Sequence, residues 1–271
     1  MQHDPSVTES PPTLEHLAGR LRTAYAGSPV APLRDGLAST DAVNAYAIQA
    51  INSAYWQRMG RKIVGRKVGL TAKTVQAQLG VNQPDFGVLF ADMQIEDGGR
   101  LLASKVLQPK IEAEVALILG ADIDNLKATR DDVAQAVSCA VAAIEIVDSR
   151  IAGWKITFAD TVADNGSSAF FVLGREQKKL SGLDLFTCGM VLEVNGQIAS
   201  VGAGAACLGH PLEAAAWLAR TLAAAGEPLR TGDIVLTGAL GPMVSISPGD
   251  QARAVIGGLG SCEFRYEEDR R

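Results

Sequence analysis

The sequence predicts an α+β fold, with a helical N-terminal part leading into a larger strand-rich region. Three observations point there. Apolar residues recur at helical spacing between residues 13 and 55. Beyond Gly60 the texture changes to short apolar runs separated by Gly, Asp and Asn. Between two of those runs stands Asn195-Gly196, the signature of a two-residue type I′ hairpin. With 271 residues, 47% of them hydrophobic and 20% charged, the chain has ample material for a core. No internal repeat and no long linker interrupt it, so the economical division is an N-terminal tail and helical layer over residues 1–60 and a β-rich domain over residues 61–271.

Residues 1–12, rich in Ser, Pro, Thr and Glu, read as a frayed lead-in. A helical pattern covers residues 13–26, and a second helix starts at Ser39 or Asp41, either of which would cap it. Its expected buried stripe is Val43, Tyr46, Ala47, Ala50, Ile51, Ala54 and Tyr55. Strands are expected over residues 63–68, 111–119, 142–147, 169–173, 190–194, 197–201, 233–237, 252–256 and 261–266. Helices are expected over residues 130–139 and 211–225, the latter opened by Pro211, stopped by Gly226 and buried through Leu212, Ala215, Leu218, Ala219 and Leu222.

The net charge of −5 argues against nucleic acid as the main partner, because phosphate binding needs a basic face. No apolar run approaches a membrane span, and residues 1–12 lack the apolar core of a signal peptide, so a cytoplasmic location is expected. The four cysteines, Cys139, Cys188, Cys207 and Cys262, are scattered and read as reduced thiols rather than a zinc or redox motif. Three histidines, His3, His16 and His210, leave little scope for a serine triad, and Ser167 and Ser168 have no histidine near them in sequence. His210, just ahead of a helix, reads more simply as a cap. Gly257-Gly258-Leu259-Gly260 leads into a strand, whereas a dinucleotide fingerprint opens a helix.

Four stretches carry the candidate chemistry. In Gln108-Pro109-Lys110-Ile111-Glu112-Ala113-Glu114-Val115, strand alternation puts Glu112 and Glu114 on one side and Ile111, Ala113 and Val115 on the other. Carboxylates flanked by apolar residues must be protonated, paired or bound to a cation, and a hard divalent ion is one solution. Glu145 ends another apolar segment and could add a third oxygen ligand. Lys67, in Gly65-Arg66-Lys67-Val68-Gly69-Leu70-Thr71, is either a solvated charge at a strand end or a group that neutralises a substrate carboxylate or polarises a carbonyl, with Thr71 as a candidate helix start. Asp85, in the loop Asn82-Gln83-Pro84-Asp85-Phe86-Gly87, reads equally as turn chemistry or as a general acid or base. An acidic cluster with a lysine and no histidine base favours metal-assisted enolisation over hydrolysis by a histidine-activated nucleophile.

Taken together, Lys67-Val68-Gly69-Leu70-Thr71, Gln83-Pro84-Asp85-Phe86-Gly87, Gln108 to Glu114, Ile144-Glu145-Ile146-Val147-Asp148-Ser149-Arg150-Ile151, Asp160-Thr161-Val162-Ala163-Asp164-Asn165 and Leu236-Thr237-Gly238-Ala239-Leu240-Gly241 resemble the 2-keto-4-pentenoate hydratases. These belong to the fumarylacetoacetate-hydrolase-like superfamily, and the likeness runs from about residue 39 to the end of the chain. The resemblance implies a mixed β-roll, a catalytic role for residues 61–271, a Mg2+ or Mn2+ ion on Glu112, Glu114 and Glu145, and a homo-oligomer. It further implies Lys67 as active-site lysine, Asp85 as acid/base and Ser167 as a substrate contact. Gly166 stands where such sequences often carry Ala. The implied reaction adds water to 2-hydroxypenta-2,4-dienoate, giving 4-hydroxy-2-oxopentanoate, in meta-cleavage degradation of aromatic compounds. The alternatives are a 4-oxalocrotonate decarboxylase, a paralogue with which such a hydratase can associate, or a non-catalytic assembly partner of one.

Overall fold

The structure is a computed structural model and describes residues 12–269; of the expected lead-in, residues 1–11 lie outside the described part. In chain order its elements are α1 (Leu14–Ala24), α2 (Ala42–Arg58), β1 (Ile63–Gly69), α3 (Lys73–Gln78), β2 (Asp85–Phe90), β3 (Gln94–Ile95), β4 (Gly99–Leu102), β5 (Pro109–Leu119), α4 (Arg130–Ala136) and β6 (Val137–Asp148). There follow α5 (Phe158–Ala163), β7 (Ser168–Leu173), β8 (Gly189–Val194), β9 (Gln197–Ala203), α6 (Pro211–Ala224), β10 (Ile234–Ala239), β11 (Val244–Ser245), β12 (Gln251–Ile256) and β13 (Gly260–Glu267). This is an α+β fold.

Two mixed sheets carry it. The larger runs β2-β1-β10-β5-β6-β7-β3, with β11 added beside β5; the smaller runs β4-β13-β12-β8-β9. Most pairs are antiparallel, but β1 lies parallel to β10, β3 to β7 and β4 to β13. The long hairpin partners β5 and β6 form the spine of the larger sheet. One face of β5, through Ile111, Ala113, Val115 and Leu117, packs into a core shared with Met190, Leu192, Ala254, Cys262 and Phe264 of the smaller sheet. The other face carries Ala116, which joins Val141, Ala143, Phe171 and Leu236 in a separate apolar cluster. Glu112 and Glu114 continue along that second face. A strand alternation read from sequence thus becomes a division between a dry core and a face that holds chemistry.

Three helices, α1, α2 and α6, are pinned at their starts. Thr13 accepts the His16 N–H at 3.2 Å, Asp41 accepts the Asn44 N–H at 3.0 Å, and the His210 ring nitrogen Nδ1 accepts the Leu212 N–H at 3.0 Å. His210 is a cap, as its position ahead of Pro211 suggests, and the five expected residues of α6 are all buried. Asn195 and Gly196 both have positive φ, 53° and 74°, the type I′ geometry expected for the β8–β9 turn. No helix among the described residues is long and apolar enough to cross a membrane.

Four local expectations need correction. In α2 the buried face is Ala45, Ile48, Gln49 and Asn52, while Val43 is 80% exposed. The helix is apolar on most sides, so periodicity could not choose a face; tertiary hydrogen bonds did, Gln49 donating to the Phe86 and Val162 carbonyls at 3.0 and 2.8 Å. The helix expected over 130–139 stops at Ala136, and Val137 to Cys139 join β6, where the β-branched start suits a ladder. The helix near Thr71 begins at Lys73. Asp85, read as a loop residue, opens β2 and pairs antiparallel with Gly69; the Pro84-Asp85 turn signal masked a strand that starts at once.

Candidate active site

Register across β5 and β6 sets Glu112 directly opposite Glu145, with Glu114 opposite Ala143. The three carboxylates therefore converge, and oxygen atoms from Glu112, Glu114 and Glu145 lie within 4.8 Å of one another. Glu114 and Glu145 are fully buried, and Glu112 is half-buried at the cavity wall. Glu114 Oε2 accepts the Gly238 N–H at 2.8 Å, whereas Glu114 Oε1 and both oxygens of Glu145 have no hydrogen-bond partner. That Gly238 donor comes from an irregularity in β10: Leu236 pairs with Ala116 and Ala239 with Glu114, three steps against two. The extra residue is the kind of bulge that re-aims backbone groups beside functional sites. Gly238 has φ of 110°, a conformation suited to glycine.

Lys67 enters from β1, where it pairs with Leu236 of β10 and Gly87 of β2. Its buried ammonium lies 3.5 Å from Glu145 Oε1. Asp85 is buried beside it, with neither carboxylate oxygen hydrogen-bonded. Gly69 makes this possible, since a Cβ there would strike Asp85 Oδ1 and crowd the Lys67 ammonium, 3.0 Å away. The Ser167 hydroxyl is buried without a partner. Lys67, Asp85, Glu112 and Ser167 all line one cavity of ≈ 170 Å³. Two larger clefts, of ≈ 610 and ≈ 710 Å³, contain none of the unpartnered carboxylates.

The electrostatics follow from burial and crowding. Burial, then the charge of Glu145, pushes the Glu112 carboxyl up to about 7. Burial and the charges of Glu145 and Glu112 raise Glu114 well above the ordinary carboxylate range. Asp85 is raised by burial against the pull of Lys67. For Lys67 burial disfavours the ammonium, but Glu145, Asp85, Glu112 and Glu114 outweigh it and hold its pKa above the usual lysine value. One lysine cannot neutralise four acidic groups. Three clustered carboxylates, two of them with buried oxygens that lack a partner, fit a hard divalent cation, which takes carboxylate oxygens and keeps positions open for water or substrate. A thiolate site is out of reach, because Cys207 is engaged with the Thr237 carbonyl and burial pushes its thiol up.

The comparisons with known proteins agree with this geometry. Residues 62–266 match the family model described as fumarylacetoacetate (FAA) hydrolase C-terminal. The chain belongs to the fumarylacetoacetate hydrolase family. Within the family it is 54% identical over 253 residues to 2-keto-4-pentenoate hydratase 1 of Dechloromonas aromatica, covering 93% of this chain and 96% of that one. It is 42% identical to the 2-hydroxyhexa-2,4-dienoate hydratase of Comamonas testosteroni, over 88% of this chain and 91% of that one. Among solved structures it superposes on 4-oxalocrotonate decarboxylase from Pseudomonas putida G7, complexed with magnesium and adipate. That match has a TM-score of 0.90 at 34% identity and covers 96% of this chain and 100% of the other. That structure holds a divalent ion, and the carboxylate cluster of this chain is of a kind that suits one.

All six residues singled out in sequence, Lys67, Asp85, Glu112, Glu114, Glu145 and Ser167, fall in one region of the molecule. Sequence reasoning gave no role to Gly238 or to Asn165. The signal for Gly238 was a glycine inside an apolar strand pattern, Leu236-Thr237-Gly238-Ala239, which marks a bulge or a close approach. The arginine of Asp148-Ser149-Arg150 is a structural anchor: only 1% exposed, it donates from Nε to Asp164 Oδ1 at 2.6 Å and from Nη1 to the Ser168 carbonyl at 3.1 Å.

Proposed function

We propose that the chain is a metal-dependent hydro-lyase that adds water to 2-hydroxypenta-2,4-dienoate, giving 4-hydroxy-2-oxopentanoate, in the meta-cleavage degradation of aromatic compounds. The single observation that carries this is the clustering of Glu112 with Glu114 and Glu145, where Glu112 shares the lining of one small cavity with Lys67 and Asp85. Glu112, Glu114 and Glu145 would hold Mg2+ or Mn2+, and a bound divalent ion supplies positive charge for a 2-oxo acid's carboxylate and 2-oxygen. Lys67, kept protonated by its acidic neighbours, adds charge where negative charge develops on the 2-oxygen. The dienol ketonises by losing its hydroxyl proton and gaining one at C5, which leaves a C3–C4 double bond conjugated to the 2-oxo group. In the hydration step Asp85 accepts a proton from water as its oxygen adds at C4 and passes that proton to C3. A carboxyl raised by burial suits both halves of that transfer. Ser167 offers an unpartnered hydroxyl to the substrate.

The decarboxylase reading has support of its own in the likeness to 4-oxalocrotonate decarboxylase. The cavity lining weighs against it. Beyond Lys67, Asp85 and Glu112 the walls are Leu70, Val75, Leu79, Ile156 and Met243 with uncharged polar neighbours, and among the described residues that line it Lys67 is the one cation. A terminal carboxylate there would be desolvated without a partner, at a cost of several kcal/mol (roughly). A short apolar tail fits the same walls. Incubating the purified chain with Mg2+ or Mn2+ tests the choice: loss of dienoate absorbance with formation of 4-hydroxy-2-oxopentanoate supports hydration, and CO2 release from 2-oxohex-3-enedioate without dienoate hydration supports the rival. A cytoplasmic homo-oligomer, able to associate with a paralogous decarboxylase, completes the proposal on the family resemblance.

A further inference from the structure

Asn165, Gly166 and Ser167 form three consecutive left-handed residues, with φ of 56°, 61° and 55°. Side chains disfavour that conformation, which L-residues visit singly rather than in runs, so something must hold it. Two sets of bonds do. Ahead of the turn, Asp164 is gripped by Arg150, whose backbone N–H reaches Oδ2 at 2.8 Å, and the Asp164 carbonyl accepts the Ser167 N–H at 2.9 Å. Within it, the Asn165 amide brackets one residue of β2: Oδ1 accepts the Val88 N–H at 2.7 Å and Nδ2 donates to the Val88 carbonyl at 3.0 Å. Val88 adjoins Gly87, the register partner of Lys67, and a Cβ on Gly87 would strike the Asn165 carbonyl. The turn therefore lies flat against the strand that flanks Lys67. Its next residue, Gly166, lies so close that a Cβ there would come within 2.7 Å of Lys67 Cε and 3.2 Å of its ammonium nitrogen. The one after, Ser167, presents its unpartnered hydroxyl to the cavity.

The geometry points to Asn165 as a positioning residue, whose two bonds to Val88 hold the left-handed turn that sets both the seat of Lys67 and the place of the Ser167 hydroxyl. It does not line the cavity, so it acts through those two side chains. The inference deepens the hydration reading and rests on it for the identity of the substrate.

The test uses the full chain with Mg2+ and the substitutions Asn165→Gly and Asn165→Asp. Melting temperature, calorimetric affinity for 2-oxopentanoate (an unreactive saturated 2-oxo acid) and kcat and KM for the dienoate are read for each. Asn165→Gly removes the left-handed penalty together with the bracket, so its melting temperature is expected to stay near that of the parent. Its kcat is expected to fall about tenfold to a hundredfold, with weaker 2-oxopentanoate binding, as misplacement of reacting groups by about 1 Å does. Asn165→Asp keeps the acceptor for the Val88 N–H and loses the donor to the Val88 carbonyl, so its kcat is expected to fall in the same direction by a smaller factor. Parent-like kcat and 2-oxopentanoate affinity in Asn165→Gly would overturn the inference, and should that variant fail to fold, the same result in Asn165→Asp would do so. If the parent binds 2-oxopentanoate but does not hydrate the dienoate, the hydration reading falls, and the affinity series alone decides the positioning role: weakened binding supports it and unchanged binding overturns it.

Discussion

Glu112 and Glu145 stand directly opposite each other across the β5–β6 ladder, two like charges at register partners, with Glu114 beside them on the same face. Like charges paired across a ladder destabilise it, and burial adds to the penalty. A divalent cation converts that liability into a ligand set. Substituting Glu114→Gln removes one charge and keeps the shape. The metal-free variant is expected to melt at or above the temperature of the metal-free parent, while its affinity for Mn2+, read by calorimetry, falls about tenfold to a hundredfold or more.

The same crowding sets the pH dependence. Glu112 is shifted from an ordinary 4.5 to about 7, and Glu114 also upward. A carboxyl whose folded pKa lies above its unfolded one contributes stability that is fully present below the unfolded value and is lost as pH rises through the folded value. Across the window from 4.5 to about 7, then, the metal-free protein loses this contribution as Glu112 ionises. Protons and the cation compete for the same oxygens, so the rise in melting temperature caused by Mg2+ is expected to be small at pH 5 and to grow towards pH 8. Thermal melts with Mg2+ and with EDTA at several pH values check it.

Asp85 has no hydrogen-bond partner and no place in the carboxylate cluster that suits the ion. Asp85→Asn keeps the shape and removes the proton carrier. Metal affinity is expected to hold while kcat drops about a hundredfold to ten-thousandfold, the usual worth of general acid–base catalysis. An unchanged kcat would remove Asp85 from the mechanism.

Arg150 and Asp164 form a buried pair that anchors the turn before Ser167, with Asp164 raised by burial to about 6 despite the adjacent guanidinium. Arg150→Met leaves the Asp164 carboxylate buried and uncompensated, and urea denaturation should read a loss of about 3–5 kcal/mol. Replacing both partners with apolar side chains should cost much less than that single substitution.

Much of the site was legible in the sequence because it depends on short periods. Glu-Ala-Glu on a strand with an apolar back can only put both carboxylates on one face. That Glu145 stands opposite Glu112 is not legible there, because strand pairing is a non-local choice that composition does not encode. At Asp85 the sequence shows only the turn chemistry of Pro84-Asp85, and the strand becomes visible through pairing with Gly69. The face of α2 was hidden for a related reason: Gln49 and Asn52 look like surface residues until Phe86, Val162 and Arg22 meet them from elsewhere in the chain. Asn165 stood in plain view within Asp164-Asn165-Gly166-Ser167, but nothing local says that its amide brackets Val88.

The most direct measurement strips the purified chain of metal with EDTA, restores Mg2+ or Mn2+, and follows the absorbance of 2-hydroxypenta-2,4-dienoate alongside the appearance of 4-hydroxy-2-oxopentanoate. The expected result is turnover that disappears on stripping, returns with the ion, and is absent from Glu114→Gln under both conditions. Full turnover by stripped Glu114→Gln protein would contradict the assignment of Glu112, Glu114 and Glu145 as the centre of the chemistry.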